Sequence, residues 1–231
     1  MFRLSAENIT HSNFPLLFSS LVVFYVGISL FDNANSDIIT NLLITQVILA
    51  ATYTLSKNGK IFIPAIIAGS LFISLRWLEF AVEGNKEVFQ SLAILFMVGF
   101  MVLVFRNILA YLLLSKEINT NLILGVISGY LMLGVLFSFG FSLVEVLSDG
   151  QGINFKTENP EFKDIVYYTM ITLTTIGYGD LSPVSDLSKL LSFSLGVMGQ
   201  LYMGIVMAFI IGKFLQTDDS KNDESQGSSD Q

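Results

Sequence analysis

Cysteine is absent from this 231-residue chain, and histidine occurs once, at position 11. Without cysteine the protein has no disulfide and no thiolate metal site, and a single histidine cannot assemble a ligand cluster. Charged residues are also scarce at 13% of the sequence, whereas 52% of the residues are hydrophobic. Because a soluble domain carries about 25% charged residues, the composition predicts an integral membrane protein.

The sequence also lacks the groups that would indicate an enzyme or a nucleic-acid-binding protein. It contains no nucleophile–base pairing, phosphate loop or metal cluster, so we expect no catalytic activity. The formal net charge is -7, and the acidic excess is concentrated in a polar C-terminal tail. Nucleic acid is therefore not an expected partner, and residues 216–231 are predicted to be a disordered, acidic, cytoplasmic tail.

Long apolar segments dominate the rest of the chain. A membrane-spanning helix needs about 20 apolar residues, and six segments fit that length: residues 14–31, 38–55, 61–82, 88–105, 119–147 and 187–214. The first segment is too long for the apolar part of a cleaved signal peptide and is followed by a poor cleavage site. We therefore predict a multi-pass protein with six spans.

The charges between these segments predict its orientation. Asp32 and Asp37 follow the first segment, and Lys57 and Lys60 follow the second. Loops rich in lysine and arginine stay in the cytoplasm. Both termini are therefore predicted to be cytoplasmic, and the connection between the last two segments is predicted to lie outside.

That outer connection contains the most informative stretch of the chain. Residues 174–180 read Thr-Thr-Ile-Gly-Tyr-Gly-Asp, with Gly177 and Gly179 at alternate positions. Successive carbonyls can face one axis only if the backbone alternates between right-handed and left-handed dihedrals, and the left-handed region is accessible at low cost only to glycine. A line of carbonyl oxygens of this kind can replace the hydration shell of a potassium ion.

The stretch resembles the TVGYG selectivity filter of potassium channels, with Ile176 in the place of valine. The resemblance implies K⁺ sites formed by the backbone of Thr175, Ile176, Gly177 and Tyr178, followed by Gly179. It also implies that the Thr175 hydroxyl closes the innermost site and that the side chains of Ile176 and Tyr178 point backward and hold the loop. K⁺ is then the permeant ion, and no cofactor is expected.

The resemblance further implies an all-α membrane protein that assembles as a homotetramer in the cell membrane. Residues 1–117 would form a four-helix transmembrane domain, and residues 118–215 a two-helix pore domain with a re-entrant helix and the filter loop. Membrane lipids are expected partners, and nothing in the sequence supports a separate regulatory subunit. The expected function is passive, potassium-selective conduction. A voltage-gated channel, a nonselective cation channel, and a nonconducting receptor or assembly subunit are the alternatives.

A short helix is predicted before the loop, with Asn159 as its N-cap, Pro160 in its first turn and Leu173 near its end. Within it, Tyr167 and Tyr168 match positions where many potassium channels carry two tryptophans that brace the filter. Interfacial packing of the two tyrosines is the alternative, but bracing is favoured because a buried hydroxyl needs a partner near Tyr178 or Asp180. Thr174 and Asp180 are expected to support the filter as well.

Gly199 in the last segment falls where potassium channels keep a hinge glycine. A glycine inside a helix can mark a bend, or it can let two helices approach closely, and the sequence does not decide between them. Close packing is the better interpretation for Gly204, Ala208 and Gly212, which recur every four residues.

The first four segments resemble a voltage-sensing domain in number only. A sensor needs several regularly spaced arginines, but the fourth segment ends with Arg106 alone, which is expected to reach the cytoplasmic interface. Residues 108–116 are expected to form an interfacial linker to the pore. In the third segment, Arg76 and Glu79 are spaced to form an intrahelical ion pair, for which Gln46 is a plausible polar neighbour. Voltage sensing by Arg76 or Arg106 stays open.

Overall fold

The computed structural model describes residues 13–30, 36–56, 59–81, 86–115, 119–157 and 160–227. These residues contain α1 (Phe14–Leu30), α2 (Ser36–Leu55), α3 (Gly59–Ala81), α4 (Lys86–Leu114), α5 (Thr120–Leu147), α6 (Phe162–Leu173) and α7 (Asp186–Gly227), with short strands β1 (Ile153–Asn154) and β2 (Ser182–Pro183). Within this part of the chain, five helices, α2 to α5 and α7, are long and apolar enough to cross a membrane, and α1 is a shorter apolar helix. The protein is therefore a multi-pass membrane protein. α2 to α5 and α7 coincide with five of the six predicted segments, and α1 covers the other, so the predicted span at residues 14–31 stays a prediction.

The predicted interfacial linker differs from the structure. α4 continues without interruption to Leu114, and Ile108 and Tyr111 in its last turns are buried. No glycine or proline lies between Phe105 and Leu114, so nothing in the sequence ends the helix earlier. Residues 108–114 thus belong to the packed helix, and Arg106, whose side chain is exposed, lies about two turns before its end.

α7 extends to Gly227, so the structure describes residues 216–227 of the predicted disordered tail as helix. These residues are polar but include no proline or glycine before Gly227, so an existing helix can propagate through them one hydrogen bond at a time.

The N-terminal helices pack against α5 of the same chain. Phe14 of α1 meets Tyr111 of α4 edge-on, with ring centroids 4.7 Å apart. The Phe14 amide donates to Asn121 Oδ1 at 3.3 Å, and the Tyr25 hydroxyl donates to the Leu131 carbonyl at 2.8 Å. A cluster of buried apolar side chains includes members from every helix, among them Phe24, Ile48, Phe72, Phe100, Met132, Val166 and Tyr202.

Two polar side chains of this helical unit bond to neighbouring helices. Arg76 Nε donates to Asn41 Oδ1 of α2 at 3.1 Å. The Glu79 side chain lies outside the described residues, so the Arg76–Glu79 pair stays a prediction. Gln46 Nε2 donates to the Ser20 carbonyl of α1 at 3.1 Å, and the role of Gln46 as a polar neighbour of that pair also stays a prediction.

Candidate ion-binding loop

α6 precedes the loop 174–180 and begins with a reciprocal capping arrangement. The Glu161 amide donates to Asp164 Oδ2 at 2.8 Å, and the Glu161 side chain accepts from the Asp164 amide. The Asp164 amide also donates to the Glu161 carbonyl at 3.0 Å, so both of these first-turn donors have partners. The predicted helix start is therefore wrong by two residues, because Glu161 rather than Asn159 is the N-cap; Asn159 itself lies outside the described residues.

The C-terminus of α6 turns sharply into the loop. The Thr174 amide donates to the Met170 carbonyl at 2.9 Å, and the Thr175 amide to the Thr172 carbonyl at 3.1 Å. Thr175 then adopts a left-handed backbone with φ of 62°. A β-branched residue pays a conformational cost of about 1–3 kcal/mol there, so the surrounding structure must hold this turn.

Left-handed residues alternate along the loop. The φ angles of Thr175, Gly177 and Gly179 are 62°, 52° and 76°. This is the alternation expected for Gly177 and Gly179 from their residue type. Sequence reasoning missed Thr175, because nothing in a threonine signals a positive φ.

One hydrogen bond determines the direction of a loop carbonyl. The Gly177 amide donates to the Ile171 carbonyl of α6 at 3.0 Å. In a trans peptide the N–H and the C=O point in opposite directions. The Ile176 carbonyl, which shares its peptide group with the Gly177 amide, therefore points away from α6.

The side chains of the loop are not covered by their own chain. Ile176 is 54% exposed and Tyr178 72% exposed, and no atom of the described residues lies within 4 Å of a Cβ added at Gly177 or Gly179. The expectation that Ile176 and Tyr178 pack behind the loop is thus not met within one chain.

Tyr167 links α6 to the end of the loop. Its hydroxyl donates to Asp180 Oδ2 at 2.8 Å, which is the kind of contact expected for a bracing tyrosine. This hydrogen bond lowers the pKa of the Asp180 carboxyl below its ordinary value, because it stabilises the ionised form. Asp180 is therefore a carboxylate at neutral pH.

Tyr168 has a different partner from the one predicted. Its hydroxyl lies 2.6 Å from Ser192 Oγ of α7, and its buried ring meets Phe141 of α5 edge-on at 5.1 Å. Successive helical residues point about 100° apart, so Tyr167 and Tyr168 cannot both face the loop. Tyr168 connects α6 to α7 and α5 instead.

Gly199 lies against the C-terminus of α6. A Cβ added at Gly199 would lie 2.8 Å from Leu173 Cδ1 and 3.1 Å from the Leu173 oxygen. Close helix approach is therefore a sufficient reason for this glycine, and α7 runs through the position without a break. The hinge role stays a prediction.

Close packing was also predicted for Gly204 and Gly212. In the described part of the chain, no atom lies within 4 Å of a Cβ added at either position. Neither glycine therefore packs closely against another described element of the same chain.

The segment after α5, in the connection predicted to lie outside, is partly buried and tied to α7. β1 pairs with β2 in antiparallel register, Ile153 opposite Pro183 and Asn154 opposite Ser182. The Gly152 carbonyl accepts from the buried Ser188 hydroxyl at 2.6 Å and from the Val184 amide at 2.8 Å. The bond between Ser188 and Gly152 joins residues 36 positions apart, which is why no local pattern indicated it.

The C-terminal part of the chain is similar to known channel sequences. A family model described as an ion channel matches residues 126–216. The potassium voltage-gated channel subfamily A member 5 of rabbit (Oryctolagus cuniculus) and its human (Homo sapiens) counterpart are each 29% identical over 92 residues, which are 39% of this chain and 14% of the relative. The two pore potassium channel a of rice (Oryza sativa subsp. japonica) is 43% identical over 47 residues, 20% of this chain and 13% of that protein.

The family model matches the part of the chain that carries the loop and the helices around it. The chain covers about one seventh of the length of the voltage-gated relatives, and no solved structure matches it. Residues 126–216 contain α6, the loop and most of α5 and α7. Over these residues the chain is similar to ion channels, and the relatives named above are potassium channels.

Proposed function

We propose that this chain is the subunit of a potassium-selective channel and that K⁺ passes along the backbone of residues 175–179. The observation that carries the proposal is the left-handed backbone at Thr175, Gly177 and Gly179. It gives the loop the alternation that a row of inward-facing carbonyls requires. The direction of the Ile176 carbonyl, opposite to α6, supports it.

A single loop provides one wall of a pore, so the proposal requires several copies around an axis. Potassium-channel filters are built from four loops. The exposed side chains of Ile176 and Tyr178 need a surface to cover them. α7 also presents a row of exposed apolar residues at helical spacing, namely Leu190, Phe193, Val197, Leu201 and Ile205. A homotetramer with cyclic symmetry covers both features with neighbouring copies.

The dipole of α6 favours a cation next to the loop. The C-terminal end of a helix carries a partial negative charge of about half an electron, and α6 ends at Leu173, immediately before the loop. Four such ends around an axis would attract a partly dehydrated cation in the middle of the membrane. In the orientation with cytoplasmic termini in the cell membrane, β1 and β2 lie at the outer mouth.

The arrangement also favours a channel without steep voltage dependence. One elementary charge that crosses the membrane field contributes about 2.3 kcal/mol per 100 mV, so steep gating needs several mobile charges. Arg76 is hydrogen-bonded to Asn41 within the helical unit, and α4 contributes only Arg106 along its span. Steep current–voltage activation in patch recordings would contradict this part of the proposal and favour a voltage-gated channel.

Ion flux through the purified protein in liposomes tests the conduction path. Under opposed K⁺ and Na⁺ gradients, we expect K⁺-selective flux in the wild type and its loss in Gly179→Ala. Gly150→Ala is the matched control, because Gly150 has φ of 75° against 76° at Gly179, and neither position has a neighbour within 4 Å. Both variants carry the same backbone strain, but only one alters the loop.

Each rival function has its own result in this experiment. Equal flux of K⁺ and Na⁺ identifies a nonselective channel. Equal loss of flux in Gly150→Ala and Gly179→Ala means that the loop is not specifically required. No flux in a folded wild-type oligomer, at any applied voltage, identifies a nonconducting membrane subunit.

A further inference from the structure

Tyr130 of α5 reaches the last carbonyl of α6. Its hydroxyl donates to the Leu173 oxygen at 3.1 Å, across 43 residues of sequence. The last carbonyls of a helix lack an intrahelical partner, and Leu173 is fully buried. A buried carbonyl without a donor costs about 1–3 kcal/mol, so this hydroxyl satisfies a group that water cannot reach.

Tyr130 is itself held by aromatic neighbours. The ring of Tyr202 on α7 lies 6.0 Å from the Tyr130 ring, at an interplanar angle of 39°. Tyr202 is anchored in turn, since its hydroxyl donates to the Val126 carbonyl at 2.6 Å. Phe105 of α4 lies 6.1 Å from Tyr202 on the other side. The position of the Tyr130 hydroxyl is thus determined by α4, α5 and α7 together.

The orientation of the Leu173 carbonyl affects the loop because Thr175, the strained residue, follows two positions later. Thr175 has a left-handed backbone with φ of 62°, which persists only where neighbouring contacts over-determine it. The 173–174 peptide group is held on one side by the Thr174 amide, which donates to the Met170 carbonyl at 2.9 Å, and on the other side by Tyr130. Without the second bond the group can tilt, and Thr175 can relax to a right-handed conformation. Its carbonyl and hydroxyl would then leave the positions that form the innermost ion site.

We propose that Tyr130 is a positioning residue for ion selectivity, because its hydroxyl holds the Leu173 carbonyl and thereby the left-handed Thr175 turn at the inner end of the loop. This inference rests on the proposed function for its effect on ions, but its structural part stands on the hydrogen bond itself. Tyr130 does not contact the ion, and it acts through Leu173 and Thr175.

The test is Tyr130→Phe, which removes one oxygen and keeps the ring. Tyr25 also donates to a helix carbonyl and provides the matched control, because Tyr25→Phe loses the bond to Leu131. That acceptor belongs to α5 and not to α6. Hydrogen–deuterium exchange of the amides of Thr175 and Gly177 reports the loop directly, and the K⁺ to Na⁺ flux ratio in liposomes reports selectivity.

In Tyr130→Phe, the Thr175 and Gly177 amides are expected to exchange at least tenfold faster than in the wild type, and the K⁺ to Na⁺ flux ratio is expected to fall severalfold. Tyr25→Phe is expected to keep wild-type exchange at these two amides. Site-specific 3-fluorotyrosine at position 130, whose hydroxyl is a stronger donor, is expected to slow the exchange, and it keeps the inference testable if Tyr130→Phe does not fold.

Wild-type exchange in Tyr130→Phe, equal acceleration in Tyr130→Phe and Tyr25→Phe, or unchanged exchange with 3-fluorotyrosine would each overturn the positioning role. Faster exchange with an unchanged flux ratio would overturn the link to selectivity. A wild type that does not conduct would contradict the proposed function, whereas the exchange result would still decide the role of Tyr130 in the loop.

Discussion

The Tyr167 hydroxyl donates to Asp180 Oδ2 at 2.8 Å and ties the middle of α6 to the residue that ends the loop. The bond lowers the pKa of Asp180. A carboxylate whose pKa is lower in the folded state stabilises the fold above its ordinary pKa of 3.8, and that contribution is lost as the pH falls through the lowered value. The hydrogen bond from Tyr167 to the ionised Asp180 is therefore present at neutral pH and is weakened only in acid.

Tyr167→Phe is expected to raise the pKa of Asp180 toward its ordinary value, because the main stabilising donor of the carboxylate is removed. The measurement is a carboxyl ¹³C NMR titration with labelled aspartate. Tyr53→Phe, at an exposed position of α2, is the control and should leave the Asp180 titration unchanged. An identical Asp180 titration in Tyr167→Phe and the wild type would contradict the assigned bond.

Tyr168→Phe and Ser192→Ala are expected to be energetically coupled, because their side-chain oxygens are 2.6 Å apart. Each variant should lower stability by about 1 kcal/mol. In a double-mutant cycle, the two effects should fall short of additivity by at least about 0.5 kcal/mol. The measurement is reversible unfolding in detergent, and additive effects would mean that the two hydroxyls do not interact.

Gly199→Ala is expected to destabilise the protein by about 1–3 kcal/mol, because the new methyl group would press on Leu173. Gly99→Ala, in α4, has no neighbour within 4 Å and should be neutral or gain up to about 1 kcal/mol from helix propensity. Thermal unfolding in the same detergent compares the two variants. Equal stability of Gly199→Ala and Gly99→Ala would argue against the close approach of α7 to α6.

Ser188→Ala is expected to loosen the contact between the outer loop and α7, because the buried Ser188 hydroxyl donates to the Gly152 carbonyl at 2.6 Å. The expected loss of stability is about 1 kcal/mol. Ser194→Ala is the control, since the exposed Ser194 hydroxyl only bonds back to Leu190 in its own helix. Hydrogen–deuterium exchange of residues 151–156 should accelerate in Ser188→Ala alone, and protection as in the wild type would contradict this role.

Features of the fold that depend on local sequence were predictable. The membrane helices coincide with the apolar segments because span length and hydrophobicity are properties of a continuous stretch. Gly177 and Gly179 were expected to be left-handed because glycine has no Cβ to oppose a positive φ. The bounds of α4 and α7 were less predictable, because a helix continues wherever packing or the absence of a breaker allows it.

The sequence by itself determined that the protein is embedded in a membrane and that residues 174–180 are its candidate ion-binding loop. Only the tertiary structure decided which residues hold that loop. Tyr130 binds Leu173, Tyr168 binds Ser192 and Ser188 binds Gly152. These partners are 24 to 43 residues apart, and only the packing of helices α5, α6 and α7 brings them together. The left-handed backbone of Thr175 is likewise decided by the tertiary structure, because a threonine takes that conformation only when its surroundings impose it.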